Sequence, residues 1–170
     1  REAYRRFGAK PSEHRSAIEA LARRVLKPDQ LPAINTLVDI GNLVSIQHLL
    51  PAGAHPTDAI SQPLELRLAR AGDQFAPPDG SPVETPPVGE VVFAEGAQVL
   101  TRRWTWRQAA NTQTLPETQG VFFNIDGLPP TTRDTVQAAT AQVAQLVQAH
   151  CGGEVLAVLL DADNPGFSLG

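Results

Sequence analysis

Ile34-Asn35-Thr36-Leu37-Val38-Asp39-Ile40-Gly41-Asn42-Leu43-Val44 is the stretch on which the reading of this chain turns. Asn35, Asp39 and Asn42 fall at i, i+4 and i+7, so on a helix all three project from one face. Leu37, Val38, Ile40, Leu43, Val44 and Ile46 surround that stripe nearly all round, which predicts a helix buried on most sides. Buried amides and carboxylates cost free energy unless they are paired. Two readings follow. Either the three side chains brace neighbouring backbone, or at least Asn42 faces a ligand cavity.

The helix is predicted to begin near Pro32 and to end at Pro51 and Gly53. Upstream, Ser12 after Pro11 marks a helix start, and Ile18, Leu21, Ala22 and Val25 recur at the spacing of one buried face. Pro28 and Pro32 close that segment. Downstream, Leu64, Leu66 and Leu68 alternate with Glu65 and Arg67, a strand pattern with an apolar and a polar face. Residues 74–89 carry Pro77, Pro78, Pro82, Pro86 and Pro87, which excludes a regular element and predicts a long surface loop, a candidate lid.

Val91–Ala94 and Val99–Trp106 read as strands flanking a turn at Glu95-Gly96. Gly120–Ile125 is another strand. Thr131 or Thr132 then caps a helix carrying Val136, Ala139, Val143, Leu146 and Val147 and ending at Gly152-Gly153. Val155–Leu160 is a continuous apolar run that suits a buried strand. The mixture lacks a steady βα alternation, so the fold class is α+β. No Gly-rich phosphate loop or Gly-x-Ser-x-Gly elbow occurs.

A chain of 170 residues with 42% hydrophobic content suits one domain with a filled core. It opens on Arg1 rather than Met, which points to a start inside a longer protein, with an element preceding it. No apolar run approaches the roughly 20 residues that span a bilayer, so the expectation is a soluble, cytoplasmic protein. One cysteine, Cys151, leaves no intramolecular disulfide, and its setting reads as that of a small buried residue. His14, His48, His55 and His150 show no metal-ligand spacing, and nothing calls for a metal or cofactor.

A net charge of −4 speaks against a broad basic footprint. Local clusters remain: Arg1, Arg5, Arg6 and Lys10, and then Arg102, Arg103 and Arg107. The second cluster interleaves with Trp104 and Trp106. On a strand, Trp104 and Trp106 share a face with Arg102, while Arg103, Thr105 and Arg107 share the other. Such groups serve either base stacking and guanidinium–aromatic pairing or core packing.

The Ile34–Val44 segment resembles the I-N-N-V-V-D-x-T-N-Y-V segment of the editing domain in bacterial phenylalanyl-tRNA synthetase beta chains, built from that subunit's third and fourth modules. Val92-Phe93-Ala94 resembles its V-I-A-D strand, and Glu117-Thr118-Gln119 with Val121-Phe122-Phe123 resembles its E-T-Q-N-V-L-L segment. Order and spacing agree over roughly residues 32–125. Arg102–Arg107 and the N-terminal Arg1-Glu2-x-Tyr4 resemble free-standing bacterial members of the family.

The resemblance implies a β-sandwich-like sheet core with flanking helices, around a cavity that accepts an amino acid wrongly attached to a tRNA 3′ end. Asn42 matches a pocket asparagine, and Asn35 and Asp39 also match. The family's Pro-x-His aligns with Pro51-Ala52-Gly53, so its pocket histidine is absent, and His55 replaces it only if the loop is rearranged. The family's pocket glutamate, which recognises the tyrosine hydroxyl, falls at Asn124, an exchange that alters substrate choice.

The pocket candidates are Asn42, Asn124, Asn35, Asp39 and Thr105, and the RNA-binding candidates Arg102, Arg103, Arg107, Trp104 and Trp106. The function implied is binding of tRNA or aminoacyl-tRNA, noncatalytic or weakly catalytic. The alternatives are a trans-acting hydrolase of mischarged aminoacyl-tRNA and a pocket for a free amino-acid-like small molecule.

Overall fold

Asn35 begins the decisive helix from outside it. In the computed structural model, which describes residues 1–27, 31, 33–58 and 60–168, Asn35 is the N-cap of helix α3 (Thr36–His48). Its Oδ1 accepts from Val38 N at 3.0 Å, and its Nδ2 donates to Thr114 O and Oγ1, each at 3.2 Å. Asp39 in the first turn accepts from Ile34 N at 3.1 Å. The entry is thus fixed by two side chains that satisfy main-chain donors a helix start leaves open. At the other end Leu49 adopts the left-handed conformation (φ 54), and Ser45 Oγ donates to Leu50 O.

Two short helices precede α3: α1 (Glu2–Arg6) and α2 (Ala17–Val25), the latter capped by Ser16 rather than Ser12. Ile18, Leu21 and Ala22 are half-buried, but Val25 is exposed, so the predicted face is only partly covered. Pro28 and Pro32, read as closing that segment, lie outside the described residues. After α3 the chain forms β1 (Ala52–Pro56), where a helix stop had been expected, then β2 (Leu64–Leu68), β3 (Val91–Glu95), β4 (Gln98–Arg102), β5 (Arg107–Gln108) and β6 (Val121–Ile125). Helix α4 (Arg133–His150), capped by Thr132, follows.

The strands make two antiparallel sheets, a β1–β6 ribbon and a four-stranded sheet in the order β2-β3-β4-β5. This is the α+β class. Successive side chains on a strand point to opposite faces, so each sheet buries two different surfaces. Phe123 and Ile125 of the ribbon enter a core with Ile40 and Val44 of α3 and Ala139 and Val143 of α4. Phe122, one residue away, stacks instead on Phe93 of the larger sheet, centroids 5.6 Å apart. Val92, Ala94 and Val99 face away from the ribbon into a second core with Phe75.

Four expectations are corrected. First, Leu66 and Leu68 are exposed, while the Arg67 side chain is buried, with its guanidinium on Asp73 at 2.6 and 2.9 Å and on Gly96 O at 2.6 Å. The polar face of β2 turned inward because a charge-assisted bidentate pair lets an arginine be buried. Second, the strand read over Val99–Trp106 stops at Arg102, where Arg103 (φ 47) and Trp104 (φ 63) turn the chain into β5. Third, Val155–Leu160 forms no strand, and Val155, Leu156, Val158 and Leu160 are exposed. Fourth, Cys151 is exposed. The proline-rich loop is irregular apart from a bridge between Phe75 and Glu84, and fully buried Phe75 and Pro86 tie it to the sheet. No described helix is long and apolar enough to cross a membrane.

Candidate functional site

The ribbon's second face carries the polar chemistry. Gly53 and Asn124 are cross-strand partners, as are His55 and Phe122, so Gly53, His55, Phe122 and Asn124 share the face turned to the four-stranded sheet. His55 is 2% exposed and packs on Phe93 at 5.3 Å, and burial pushes its imidazole down to about 4. Gln108 Nε2 lies 2.9 Å from Ala54 O and 3.2 Å from His55 Nδ1. Gln108 Nε2 also donates to Thr112 O, so its two hydrogens face two carbonyls besides the ring, and burial keeps the imidazole neutral.

Gly53 has no side chain, and two neighbours use the room. A Cβ placed there would lie 2.5 Å from Asn124 Oδ1 and 3.3 Å from His55 Nε2. Asn124 Oδ1 is buried and has no hydrogen-bond partner among the described residues. Its Nδ2 donates to Asp126 Oδ2 at 2.9 Å. Burial drives the Asp126 carboxyl up to about 6, against the opposing pull of Asn124 and the Trp104 indole. Trp104 Nε1 comes toward that carboxyl without closing a hydrogen bond of ordinary geometry and is itself buried and unpartnered among the described residues. A free acceptor, a free indole donor, a neutral imidazole and an elevated carboxyl therefore share one interior site. Buried polar atoms left open in this way are rare in a folded chain and call for an explanation.

The corner that aims Trp104 is held at every residue. Arg103 N donates to Glu90 Oε1 at 3.1 Å and Trp104 N to Val91 O at 2.7 Å. Thr105, a pocket candidate, is buried with its hydroxyl 2.9 Å from Tyr4 Oη, and its carbonyl accepts from Ala17 N at 2.7 Å. Two consecutive non-glycine residues at positive φ are costly and persist only where surroundings impose them.

The remaining sequence candidates separate. Asn35 and Asp39 are committed to the start of α3. Asn42, half-buried, makes no side-chain hydrogen bond with a described residue and lines a cavity of about 220 Å³ between α2 and α3, with Leu21, Arg24, Val38, Ser45 and Ala52. That cavity does not include Asn124, because the ribbon stands between them and Asn124 points from its other face. The geometry does not bring Asn42 and Asn124 together.

Arg102 is 5% exposed, its guanidinium doubly bonded to Glu90 at 2.9 and 2.7 Å and also held by Glu84. Arg103 stacks over Trp106 at 4.5 Å, and burial lowers its basicity. Arg107 donates to Asp79 at 2.6 Å and also faces Trp106 at 5.7 Å, whose ring His14 meets edge-on at 4.6 Å. These arginines and Trp106 are engaged with one another and with carboxylates of the same chain, of which Glu90 is buried and Asp79 exposed. Among the described residues no three His, Cys, Asp or Glu side chains cluster as a metal site would need.

Sequence reasoning missed Asp126, Gln108 and the β1 strand. The alternation Phe122, Asn124, Asp126 would have marked Asp126, had the strand been carried one residue further. Gln108 gave no signal, because only the pairing of β4 with β5 brings it to His55.

Residues 1–152 match the B3/4 domain. No curated protein matches the chain. The match takes in α1 to α4, both sheets and the polar face of the ribbon, and this chain belongs to the B3/4 domain family, the domain found in the phenylalanyl-tRNA synthetase beta subunit.

Proposed function

We propose that this domain binds the aminoacylated 3′ end of a tRNA, with the aminoacyl group received on the ribbon face formed by His55, Asn124 and Asp126. The observation that carries the reading is the register Gly53↔Asn124. The resemblance sets the family's pocket histidine and glutamate at these two positions, and here they are direct cross-strand neighbours. The open atoms suit the ligand: an α-ammonium group supplies donors for Asn124 Oδ1 and the Asp126 carboxylate, and an ester oxygen accepts from Trp104 Nε1. The Asn124 amide fills the space above Gly53, so the ligand enters as that amide rotates aside. With an amide at the family's glutamate position, selectivity is not that of a tyrosine-hydroxyl pocket.

The test is affinity for charged against uncharged tRNA across a panel of amino acids, for the wild type and Asn124→Ala. Tighter binding of some charged tRNAs, with the difference lost in the variant, is the expected result. Equal affinity for charged and uncharged forms throughout the panel refutes the reading.

One observation favours hydrolysis as a second reading. A carboxyl raised to about 6 titrates near working pH, where a general base is effective. Release of amino acid from a mischarged tRNA above the buffer rate, falling at least about a hundredfold in Asp126→Asn, would establish it. A panel with no release above buffer leaves binding alone.

A further inference from the structure

We propose that the groove between α1 and α2 binds the phosphodiester backbone of RNA. The choice of partner rests on the tRNA reading above, whereas the choice of surface rests on separate observations. Arg1, Arg5, Lys10, Arg15 and Arg23 line a groove of about 620 Å³ whose other walls are Gly8, Ala9, Pro11 and Ser12. Five of the chain's 14 Lys and Arg residues thus meet at one place on a molecule of net charge −4. Screening confines each charge to a radius of roughly 8 Å at physiological salt, so a phosphate in the groove responds to this local set and not to the chain's overall sign.

The groove keeps free charge. Glu19 pairs with Arg1 and, at 3.2 Å, with Arg23, and Glu13 pairs with Lys10 at 3.3 Å. Arg5 and Arg15, both exposed, form no ion pair among the described residues. The contrast with Arg102, Arg103 and Arg107 is direct, since those cations are turned onto Glu90, Glu84, Asp79 and Trp106. Small residues in the wall let an extended backbone come close. Among the described residues no Leu, Ile, Phe or Trp lines the groove, so it lacks the apolar face with which an amphipathic helix enters a membrane interface.

Its position joins it to the ribbon site. Tyr4 on α1 bonds Thr105, and the first residue of α2 bonds the Thr105 carbonyl. Thr105 follows Trp104, whose indole comes toward Asp126. A strand lying in the groove therefore runs beside the corner that forms one wall of the ribbon site.

The experiment uses the full chain and labelled, uncharged bulk tRNA, with anisotropy read from 50 to 300 mM KCl. Because the probe carries no amino acid, failure of the aminoacyl reading leaves this measurement intact. About four phosphate contacts give a slope of log K against log salt near −3. Arg5→Glu/Arg15→Glu is expected to flatten that slope by about 1.5 and to weaken binding at least tenfold at low salt. Arg70→Glu/Arg133→Glu makes the same charge change outside the groove and is expected to bind within about twofold of wild type. Thermal unfolding verifies that both doubles fold. A salt-independent affinity, an unchanged groove double, or equal losses in the two doubles overturns the proposal. So does binding to vesicles of phosphatidylserine and phosphatidylcholine in place of tRNA.

Discussion

Replacing Asp126 by asparagine isolates the energetics of the ribbon site. Burial holds this carboxyl at about 6, against an ordinary 3.8, so the folded protein binds a proton more tightly than the unfolded chain. Between those values the native state carries more protons, and stability falls as pH rises. The difference corresponds to about 3 kcal/mol, fully lost once pH exceeds 6. His55 runs the opposite way. Its folded value of about 4 lies below the ordinary 6.5, so stability rises with pH through the same window, again by about 3 kcal/mol.

In the wild type the two slopes largely cancel, and the substitution uncovers one of them. Asparagine keeps the shape and still accepts from Asn124 Nδ2, but it cannot ionise. Urea unfolding of both proteins from pH 4 to 8 gives the difference, in which every other group cancels. The variant is expected to match the wild type near pH 4 and to exceed it by about 3 kcal/mol at pH 7. With a urea slope of about 2 kcal/mol/M, its midpoint should lie about 1.5 M higher. A difference that stays level with pH, or one that favours the wild type as pH rises, refutes a buried carboxyl of raised pKa.

Arg102→Met strands Glu90, which is 5% exposed, as a buried charge missing its main partner, and should cost about 3–5 kcal/mol by chemical denaturation. A cost under about 1 kcal/mol would mean that Glu90 is neutral or reaches water. Gly53→Ala brings a methyl group to 2.5 Å from Asn124 Oδ1 and should destabilise by about 1–3 kcal/mol. In an Asn124→Ala background that penalty should shrink by at least about 1 kcal/mol, and strict additivity of the two changes would contradict the contact.

Local patterns were legible wherever a residue's role depended on near neighbours. The α3 sequence announced its helix, the α4 cap was narrowed to Thr131 or Thr132, and the β2 alternation and the β3–β4 turn were equally plain. Errors arose where distant partners decided the outcome. Arg67 turned inward because Asp73 and Gly96 O were there to receive it, so periodicity placed the strand yet chose the wrong face. Trp104 left the strand because Val91 O and Glu90 hold the chain at positive φ. The polar stripe on α3 also divided on tertiary grounds, with Asn35 taken by Thr114 and Asn42 left beside a cavity.

The sequence by itself determined the α+β class and the decisive helix, and drew notice to Gly53 and Asn124 through the resemblance alone. These rest on local spacing and on residue identity, which a linear string records. Only the tertiary structure decided that Gly53 and Asn124 face each other, that Asp126 joins them, and that Arg102 is walled in while Arg5 and Arg15 form no ion pair among the described residues. Strand register and the burial of a charge depend on groups far apart in the chain, and their free energies exist only once those groups have been brought together.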